Sequence, residues 1–302
     1  MTPLLILLAA GAVVGALAGP ERTRWAPVLV LLSVLSVIFA QGGTLGGSEE
    51  VAAAWGATVL HSLAFAVATS AACVFSVEAV ARALRRPTNR DKNTTAPSAR
   101  GDWREPARIL GTLVLGVGAG RLFPTDAFWS SASTWTLFVL LFVVGLDLGR
   151  QRRELLAQLR AAAHALWIVP VTLLASGCAG MALAQALPYS TAGVTGAALA
   201  NGWYSIAGPM LADLESPAMG AVALLGNLFR EVLAMVLIPM MAARGFHAQS
   251  AAAFGGATAM DTTLPFVLAG WGQRGAVTAL GVGVSLSVLS APMIALAFRL
   301  LG

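Results

Sequence analysis

The chain has 302 residues, of which 57% are hydrophobic and only 11% are charged. A soluble domain carries about 25% charged residues, so this composition excludes soluble classes and indicates a membrane protein. The net charge of +5 does not indicate a nucleic-acid partner, because the basic residues lie in short loops between apolar runs. Basic loops of this kind are typical of the cytoplasmic side of a membrane protein.

Apolar runs of about the length needed to cross a bilayer, roughly 20 residues each, follow one another along the chain. They predict six spans, at residues 2–19, 26–41, within 51–84, 108–123, 135–149 and 161–187. The loops after spans 1, 3 and 5 are basic, which places them inside and the N-terminus outside. In this orientation Glu78 lies near the inner surface and Asp213 near the outer one.

One hydrophilic linker, residues 85–107, interrupts the apolar chain. It is rich in Pro, Asn, Thr and Arg, which predicts a flexible cytoplasmic segment. The linker divides the chain into a first membrane repeat unit of three spans, residues 1–84, and a second repeat unit, residues 108–302. The second unit also carries the segments of the predicted substrate site.

A sequence repeat relates the two units. In spans 1 and 2, GAVVGALAGP is followed by LVLLSVLSVIFAQG; in spans 4 and 5, LGVGAGRLFP is followed by TLFVLLFVVGLDLG. The offset is three spans, an odd number, so the second copy enters the membrane from the other side. Inverted repeats of this kind are typical of secondary transporters. The alternative is that membrane helices resemble one another by composition alone.

After residue 190 the pattern becomes irregular. Residues 218–243 and 276–300 have the composition of full spans, whereas glycine, proline and polar residues interrupt 190–214 and 254–270. If the two interrupted segments are broken or re-entrant, Arg244 and Arg274 both fall inside and the C-terminus falls outside. The predicted fold is therefore all-α and polytopic, with about eight transmembrane helices plus two broken or re-entrant segments in an inverted-repeat secondary transporter architecture.

The stretch GGATAMDTTLP places a carboxylate, Asp261, within an interrupted apolar segment. A charge at the bilayer centre costs about 2.5–3.5 kcal/mol, and loosened backbone is tolerated at that depth only inside protein or beside a watery cavity. We therefore expect a buried carboxyl that binds a cation when ionised and releases it when protonated. Thr258 and Thr262 supply hydroxyl groups to the same site.

A second polar group lies in the middle of the predicted span 218–243. Asn227, Arg230 and Glu231 are spaced at i, i+3 and i+4, so Asn227 shares a helix face with both charged residues. Arg230 and Glu231 diverge by about 100° and can reach different partners. Intramembrane ionisable residues indicate function by default, and a structural ion pair between helices is the alternative.

Other candidates carry a weaker signal. Tyr204 and Ser205, in NGWYSIAGP, either line a site or anchor the chain at the interface, and Asp147, in GLDLG, either contributes to the site or reaches the cytoplasmic surface. Cys73 and Cys178 lie within apolar runs, which predicts buried side chains rather than a disulfide or a metal site. No cofactor is expected, and the chain has no GxxxxGK[ST] motif, which excludes ATP as its energy source.

Three motifs, NGWYSIAGP, GNLFREVLAMVLIP and GGATAMDTTLP, resemble the bacterial LysO-type lysine exporter family in their order and spacing. The resemblance covers nearly the whole chain. It implies export of L-lysine and toxic lysine analogues, and it places the family's intramembrane acidic residues at Glu231 and Asp261. Asp147 matches an acidic or amide position of the family less closely.

The residues and the resemblance together lead to a hypothesis of lysine/proton antiport by alternating access across the bacterial inner membrane. Ionised Glu231 and Asp261 bind the cationic substrate inside, and protonation displaces it outside. The expected partners are L-lysine, close cationic analogues, protons as the coupling ion and membrane lipid; a homodimer is left open. The alternatives are a sodium/proton or other cation antiporter and an intramembrane aspartyl protease that uses Asp147 and Asp261. The absence of a GxGD pattern at Asp147 argues against the protease, and no enzymatic activity is predicted.

Overall fold

The computed structural model describes residues 2–22, 25–47, 55–84 and 104–302, and every regular element in these ranges is a helix. The prediction of an all-α fold is therefore confirmed. The α-helices are α1 (Thr2–Arg22), α2 (Ala26–Gly47), α3 (Trp55–Ala83), α4 (Arg104–Leu122), α5 (Asp126–Arg150), α6 (Arg152–Ala161), α7 (Ile168–Ala184), α8 (Thr191–Leu199), α9 (Tyr204–Leu214), α10 (Pro217–Ala243), α11 (Ala248–Gly255) and α12 (Leu264–Leu301). Two 3-10 helices, Ala163–Ala165 and Gly256–Met260, precede α7 and follow α11.

Several helices have the length and apolar composition of membrane spans, as a multi-pass membrane protein requires. Within the described ranges six segments qualify by length and composition: Val28–Gly47, Trp55–Ala83, Ala127–Arg150, Ala163–Ala184, Pro217–Ala243 and Leu264–Leu301. α1 contains a shorter apolar helix, Ile6–Ala18. The count of eight full spans, the orientation and the division at the linker stay predictions, and the linker lies outside the described residues as far as residue 103.

The predicted span 161–187 corresponds to the apolar segment Ala163–Ala184. α6 covers Arg152–Ala161, and a 3-10 turn separates it from α7, which covers only Ile168–Ala184. α6 carries several charged residues on an amphipathic pattern, which suits a helix at a surface rather than one surrounded by lipid. The predicted span begins at the last residue of α6, so hydropathy separates this charged helix from the apolar segment that follows.

The described chain forms two compact units, one from residues 1–59, 104–156 and 205–224 and the other from 60–103, 157–204 and 225–302. In the first unit, glycine pairs spaced four residues apart bring helices into backbone contact. A Cβ added to Gly11 of α1 would lie 2.1 Å from the Phe142 carbonyl oxygen, and one added to Gly145 of α5 would lie 2.1 Å from that of Leu8. Small residues at this spacing allow close helix packing in membranes, so α1 and α5 are fixed against each other.

α2 and α4 of the first unit repeat this arrangement. A Cβ on Gly42 of α2 would lie 2.5 Å from the Leu113 carbonyl oxygen, and one on Gly116 of α4 would lie 2.2 Å from that of Phe39. The first helix of each predicted repeat thus packs against the second helix of the other: α1 with α5, and α4 with α2.

In the second unit, the first segment predicted to be interrupted is broken between α8 and α9. Asn201 and Gly202 lie in the break and have φ angles of 49° and 97°. A left-handed backbone costs roughly 1–2 kcal/mol at a residue other than glycine, and asparagine is one of the few that visit it. The Asn-Gly dipeptide therefore stops α8 and redirects the chain.

The second interrupted segment is also broken, at Gly256, where φ is 61°. The 3-10 helix Gly256–Met260 and a turn at 261–263 separate α11 from α12. α12 departs from helical geometry once more at Gly272, with φ 67° and ψ −164°, a few residues before the predicted last span. Both predicted interruptions are confirmed.

Candidate functional site

The two breaks touch each other through their backbones. The Ala257 amide donates a hydrogen bond of 2.8 Å to the Asn201 carbonyl oxygen. A Cβ added to Gly256 would lie 2.1 Å from that same oxygen, which is closer than any side chain can approach. Glycine at 256 therefore permits both the positive φ and the contact that joins the two broken segments.

The Asn227 side chain of α10 forms two hydrogen bonds at the first break. Its Oδ1 accepts a 2.8 Å hydrogen bond from the Gly202 amide, and its Nδ2 donates a 3.1 Å hydrogen bond to the Ala197 carbonyl. The side chain is fully buried. Buried backbone groups at a helix end need partners of this kind, so the Asn227 amide satisfies one group on each side of the break.

Arg230, also on α10, forms hydrogen bonds to the last turn of α11, just before the second break. Its guanidinium donates to the carbonyls of Ala253, at 3.0 Å from Nη2, and Phe254, at 3.3 Å from Nε. Its Nη1 lies 3.5 Å from Asn201 Oδ1. Only 1% of Arg230 is exposed, and a cation at the C-terminal end of α11 is stabilised by the helix dipole. The guanidinium thus contacts backbone carbonyls of the second broken segment and the Asn201 side chain of the first.

Asn201 connects this network to two further helices. Its Oδ1 accepts a 2.7 Å hydrogen bond from the Ser176 hydroxyl, and the neighbouring Ala200 carbonyl accepts one of 2.9 Å from Ser290. Asn201, Ser176 and Ser290 are not among the sequence-predicted site residues. The Asn-Gly turn dipeptide inside an apolar run was a usable signal for Asn201. Single serines in apolar helices carry no such signal.

Asp261 occupies the turn between the 3-10 helix and α12. The sequence predicts a buried carboxyl, and this is wrong, because the Asp261 side chain is exposed on the protein. The cause is the turn at 261–263, which directs the carboxylate outward. Its Oδ1 accepts a 2.6 Å hydrogen bond from the Thr262 amide and lies 3.3 Å from the Thr262 hydroxyl.

Glu231 lies in the interior of the second unit, with 2% of its surface exposed. It follows Arg230 directly and lies one helical turn after Asn227, on the helix that holds both breaks. A carboxylate in the protein interior is stable only with compensating charge or hydrogen bonds. The second unit thus has one buried and one exposed carboxylate on elements that meet at the breaks.

The threonines of the second break stabilise its turn. The Thr258 hydroxyl donates to the Gly255 carbonyl at 2.9 Å, and the Thr258 carbonyl accepts from the Thr263 hydroxyl at 3.0 Å. Only 8% of Thr258 is exposed. These bonds replace the helical ones that the break removes, so the turn has a defined shape.

The remaining predicted residues are Tyr204, Ser205 and Asp147, and the Tyr204 amide donates a 3.0 Å hydrogen bond to the Gly202 carbonyl in the first break. Tyr204 begins α9 and is half-buried, whereas Ser205 is buried. Asp147, near the end of α5, accepts hydrogen bonds at Oδ1 from Arg150 at 2.8 and 3.0 Å and at Oδ2 from Gln151 at 2.5 Å. The Asp147 carboxylate thus has partners on its own stretch of chain.

Glu78 of α3, which the charge pattern predicts to lie near the inner surface, is buried in the protein, with only 4% of it exposed. Its Oε2 accepts a 3.1 Å hydrogen bond from the His247 amide and one of 2.7 Å from the Ser250 hydroxyl. Its Oε1 lies 3.0 Å from His247 Nδ1 and 2.8 Å from Arg82 Nε. Sequence reasoning missed this cluster because its partners are 169 and 172 residues away along the chain.

The two cysteines differ in burial. Cys73 is buried, as predicted, with its sulfur 3.0 Å from the Ser176 hydroxyl, but Cys178 is exposed. The buried face of α7 includes Ser176, Gly177 and Gly180, and Cys178 lies on another face of the helix. The prediction that Cys178 is buried is therefore wrong.

Comparison with known proteins gives a family assignment. A family model described as "Lysine exporter LysO" matches residues 110–298. The lysine exporter LysO of Escherichia coli strain K12 is 33% identical over 166 residues, which cover 53% of this chain and 53% of that protein. A putative lysine exporter of Haemophilus influenzae is 27% identical over 168 residues, which cover 53% of this chain and 80% of that protein.

The matched part spans about half the length of the E. coli relative, at 53%. No solved structure matches the chain. The family model covers both breaks, α10 and Asp261, whereas Glu78 and Cys73 lie before the matched region.

Proposed function

Since this chain belongs to the lysine exporter LysO family, we propose that it exports L-lysine and close cationic analogues from the cytoplasm across the bacterial inner membrane. The observation that carries the proposal is the contact between two broken helices on the polar face of α10. Transporter sites are typically formed by discontinuous helices near the middle of the membrane. The family is one of transporters, and no enzymatic role is proposed.

Lysine chemistry fits the two acidic residues. At neutral pH lysine carries two ammonium groups and one carboxylate, so a site for it needs at least one anionic side chain. We assign cation binding to Glu231 and Asp261, one buried and one exposed. The buried carboxylate provides a strong interaction in a low-dielectric interior, and the exposed one meets the substrate or a proton from an aqueous side.

The remaining polar residues take supporting roles. Asn227 and Arg230 hold the breaks in place, and Thr258 and Thr262 shape the turn that presents Asp261. The contacts of Arg230 with backbone carbonyls favour a structural role over contact with the substrate. Tyr204, Ser205 and Asp147 remain candidates for contacts along the substrate path.

Proton antiport by alternating access is the mechanism that we propose. Protonation of Glu231 or Asp261 on the outer side lowers the affinity for the cation and releases it, and the inward return of protons drives export. The exchanged pairing of α1 with α5 and of α2 with α4 supports an inverted repeat, because it is the pattern that two equivalent helix units produce. Inverted repeats provide two exchangeable states of one site.

The site is tested by lysine or thialysine efflux from cells that carry Asp261→Asn or Glu231→Gln. Each change removes a negative charge and preserves side-chain size, so we expect efflux to be lost while the protein level stays normal. Asp213→Asn is the matched control, since Asp213 is an exposed acid whose recorded partner is the Thr134 hydroxyl. Normal efflux in both site variants would refute the assignment.

A sodium/proton or other cation antiporter is the main alternative. Purified protein in proteoliposomes separates the two: lysine export predicts a proton flux that depends on lysine and is unaffected by sodium. A proton flux driven by sodium, without competition from lysine, would instead favour the alternative.

A further inference from the structure

We propose that Glu78 is a positioning residue for export, whose carboxylate holds the N-terminal end of α11 and thereby fixes the broken segment that carries Asp261. Glu78 lies outside the residues matched by the family model, 110–298, and in none of the motifs that identify the family. The inference rests on the proposed function for its transport readout, but its structural readout is independent of the substrate.

Glu78 supplies the N-terminal cap of α11. His247 is the residue before the helix, and its own side chain makes no capping hydrogen bond. The Glu78 carboxylate instead accepts from the His247 amide at 3.1 Å and from the Ser250 hydroxyl in the first turn at 2.7 Å. A carboxylate at a helix N-terminus is favoured by the helix dipole, so a residue of α3 replaces the local cap that the α11 sequence lacks.

The C-terminal end of α11 is bound by a positive charge, the Arg230 guanidinium. Arg230 donates to the carbonyls of Ala253 and Phe254, in the last turn. α11 has only eight residues, so it is too short to be stable by itself. A carboxylate from α3 and a guanidinium from α10 therefore bracket a short helix, and the position of the following break depends on both.

The Glu78 carboxylate is fully engaged by groups of the protein. Four contacts at 2.7–3.1 Å surround its two oxygens: the His247 amide and ring, the Ser250 hydroxyl and the Arg82 guanidinium. Both side chains of the Glu78–His247 pair are 5% exposed, whereas that of Arg82 is 64% exposed. This arrangement suits a fixed structural anion rather than a group that binds and releases a cation.

The Glu78 contacts with His247 and Ser250 are called the Glu78 clamp below. The chain from this clamp to Asp261 is short and tightly packed. α11 is buried along almost its whole length, and the 3-10 helix that follows is bonded to the first break through Ala257. A shift of α11 along its axis therefore moves Gly256 against the Asn201 carbonyl and displaces the turn at 261–263. Loss of the clamp is expected to alter the turn before it unfolds the protein.

The test measures the position of the turn directly, with a cysteine introduced by Thr262→Cys in protein that also carries Cys178→Ser. The rate of reaction with a membrane-impermeant maleimide is measured in proteoliposomes, and the same protein without Thr262→Cys serves as the blank for buried Cys73. Glu78→Gln removes the charge but keeps the side-chain size. Loss of one charge-assisted contact corresponds to about a tenfold change in an opening equilibrium, so we expect about a tenfold change in labelling rate.

Further variants provide controls. Arg82→Gln removes the exposed partner of Glu78 and is expected to leave the labelling rate within about twofold of the parent, since exposed ion pairs contribute little. Ser250→Ala and Glu78→Asp weaken the clamp without removing its charge, and both are expected to give intermediate rates. These two variants also decide the question if Glu78→Gln fails to accumulate in the membrane.

Transport is measured in parallel without the labelling changes. In Glu78→Gln we expect the maximal rate of lysine export to fall about tenfold, and Glu78→Asp to restore part of it. Unchanged labelling and unchanged export in Glu78→Gln, Glu78→Asp and Ser250→Ala would overturn the clamp. If the labelling changes but the parent protein moves no lysine, the clamp stands and the proposed substrate is wrong.

Discussion

Gly256→Ala tests whether the contact between the two broken helices holds the site together. Gly256 has φ 61° and ψ −127°, and an added Cβ would lie 2.1 Å from the Asn201 carbonyl oxygen. To reach an ordinary contact distance of 3.4 Å the Cβ and the oxygen must separate by at least about 1.3 Å. That movement breaks the 2.8 Å hydrogen bond from the Ala257 amide to the same oxygen.

The expected cost follows from these two effects. Alanine at the φ and ψ of Gly256, a region sparsely populated by residues other than glycine, costs roughly 1–3 kcal/mol, and a buried amide left without its hydrogen bond costs about 1–3 kcal/mol. The free energy of unfolding should therefore fall by about 2–6 kcal/mol. Gly245→Ala is the matched control, because Gly245 has φ 76° and no atom within 4 Å of the added Cβ. Gly245→Ala therefore places alanine at a positive φ without any steric clash of its Cβ.

The assay is thermal unfolding of purified protein, together with lysine efflux from cells at matched protein levels. The free energy of unfolding of Gly256→Ala should lie about 1–3 kcal/mol below that of Gly245→Ala, because only the first variant loses the buried hydrogen bond. At about 2–4 °C per kcal/mol, this predicts a melting temperature roughly 2–12 °C lower for Gly256→Ala than for Gly245→Ala. Efflux should be lost in Gly256→Ala alone. Equal melting temperatures and equal efflux in the two variants would show that the contact between the breaks does not matter.

Three other substitutions address the remaining contacts. Arg230→Lys replaces a planar guanidinium with a point charge. We expect it to lower the free energy of unfolding by about 2–4 kcal/mol and to abolish efflux. Normal thermal stability of this variant would contradict a structural role for the Arg230 contacts at the C-terminal end of α11. Asn227→Leu leaves the Gly202 amide without its partner, so thermal unfolding should show a loss of about 1–3 kcal/mol, and an unchanged melting curve would argue against the bonds seen here. In the first unit, Gly145→Leu should disrupt the packing of α1 on α5. A Cβ added at Gly118 meets no atom within 4 Å, so Gly118→Leu should be tolerated, and equal yields of folded protein from the two variants would refute the glycine contact.

Local patterns along the chain were sufficient for much of the fold. Apolar runs are set by the requirement to bury backbone groups in lipid as helices, so hydropathy predicts the all-α class. The interruptions near Gly202 and Gly256 were predictable because glycine and asparagine tolerate backbone angles that end a helix. Shared helical spacing also predicted that Asn227 and Arg230 face the same neighbours.

Partners distant in sequence could not be predicted in this way. The glycine pairs of α1 and α5 are visible in the sequence, but only the folded chain shows which helix faces which. Asp261 is exposed where the sequence predicts a buried carboxyl, because a turn directs it outward. Glu78 is buried because His247 and Ser250 enclose its carboxylate. Hydropathy and backbone preference are local properties, whereas burial and charge pairing depend on residues that only tertiary packing brings together, 169 positions apart for Glu78 and His247.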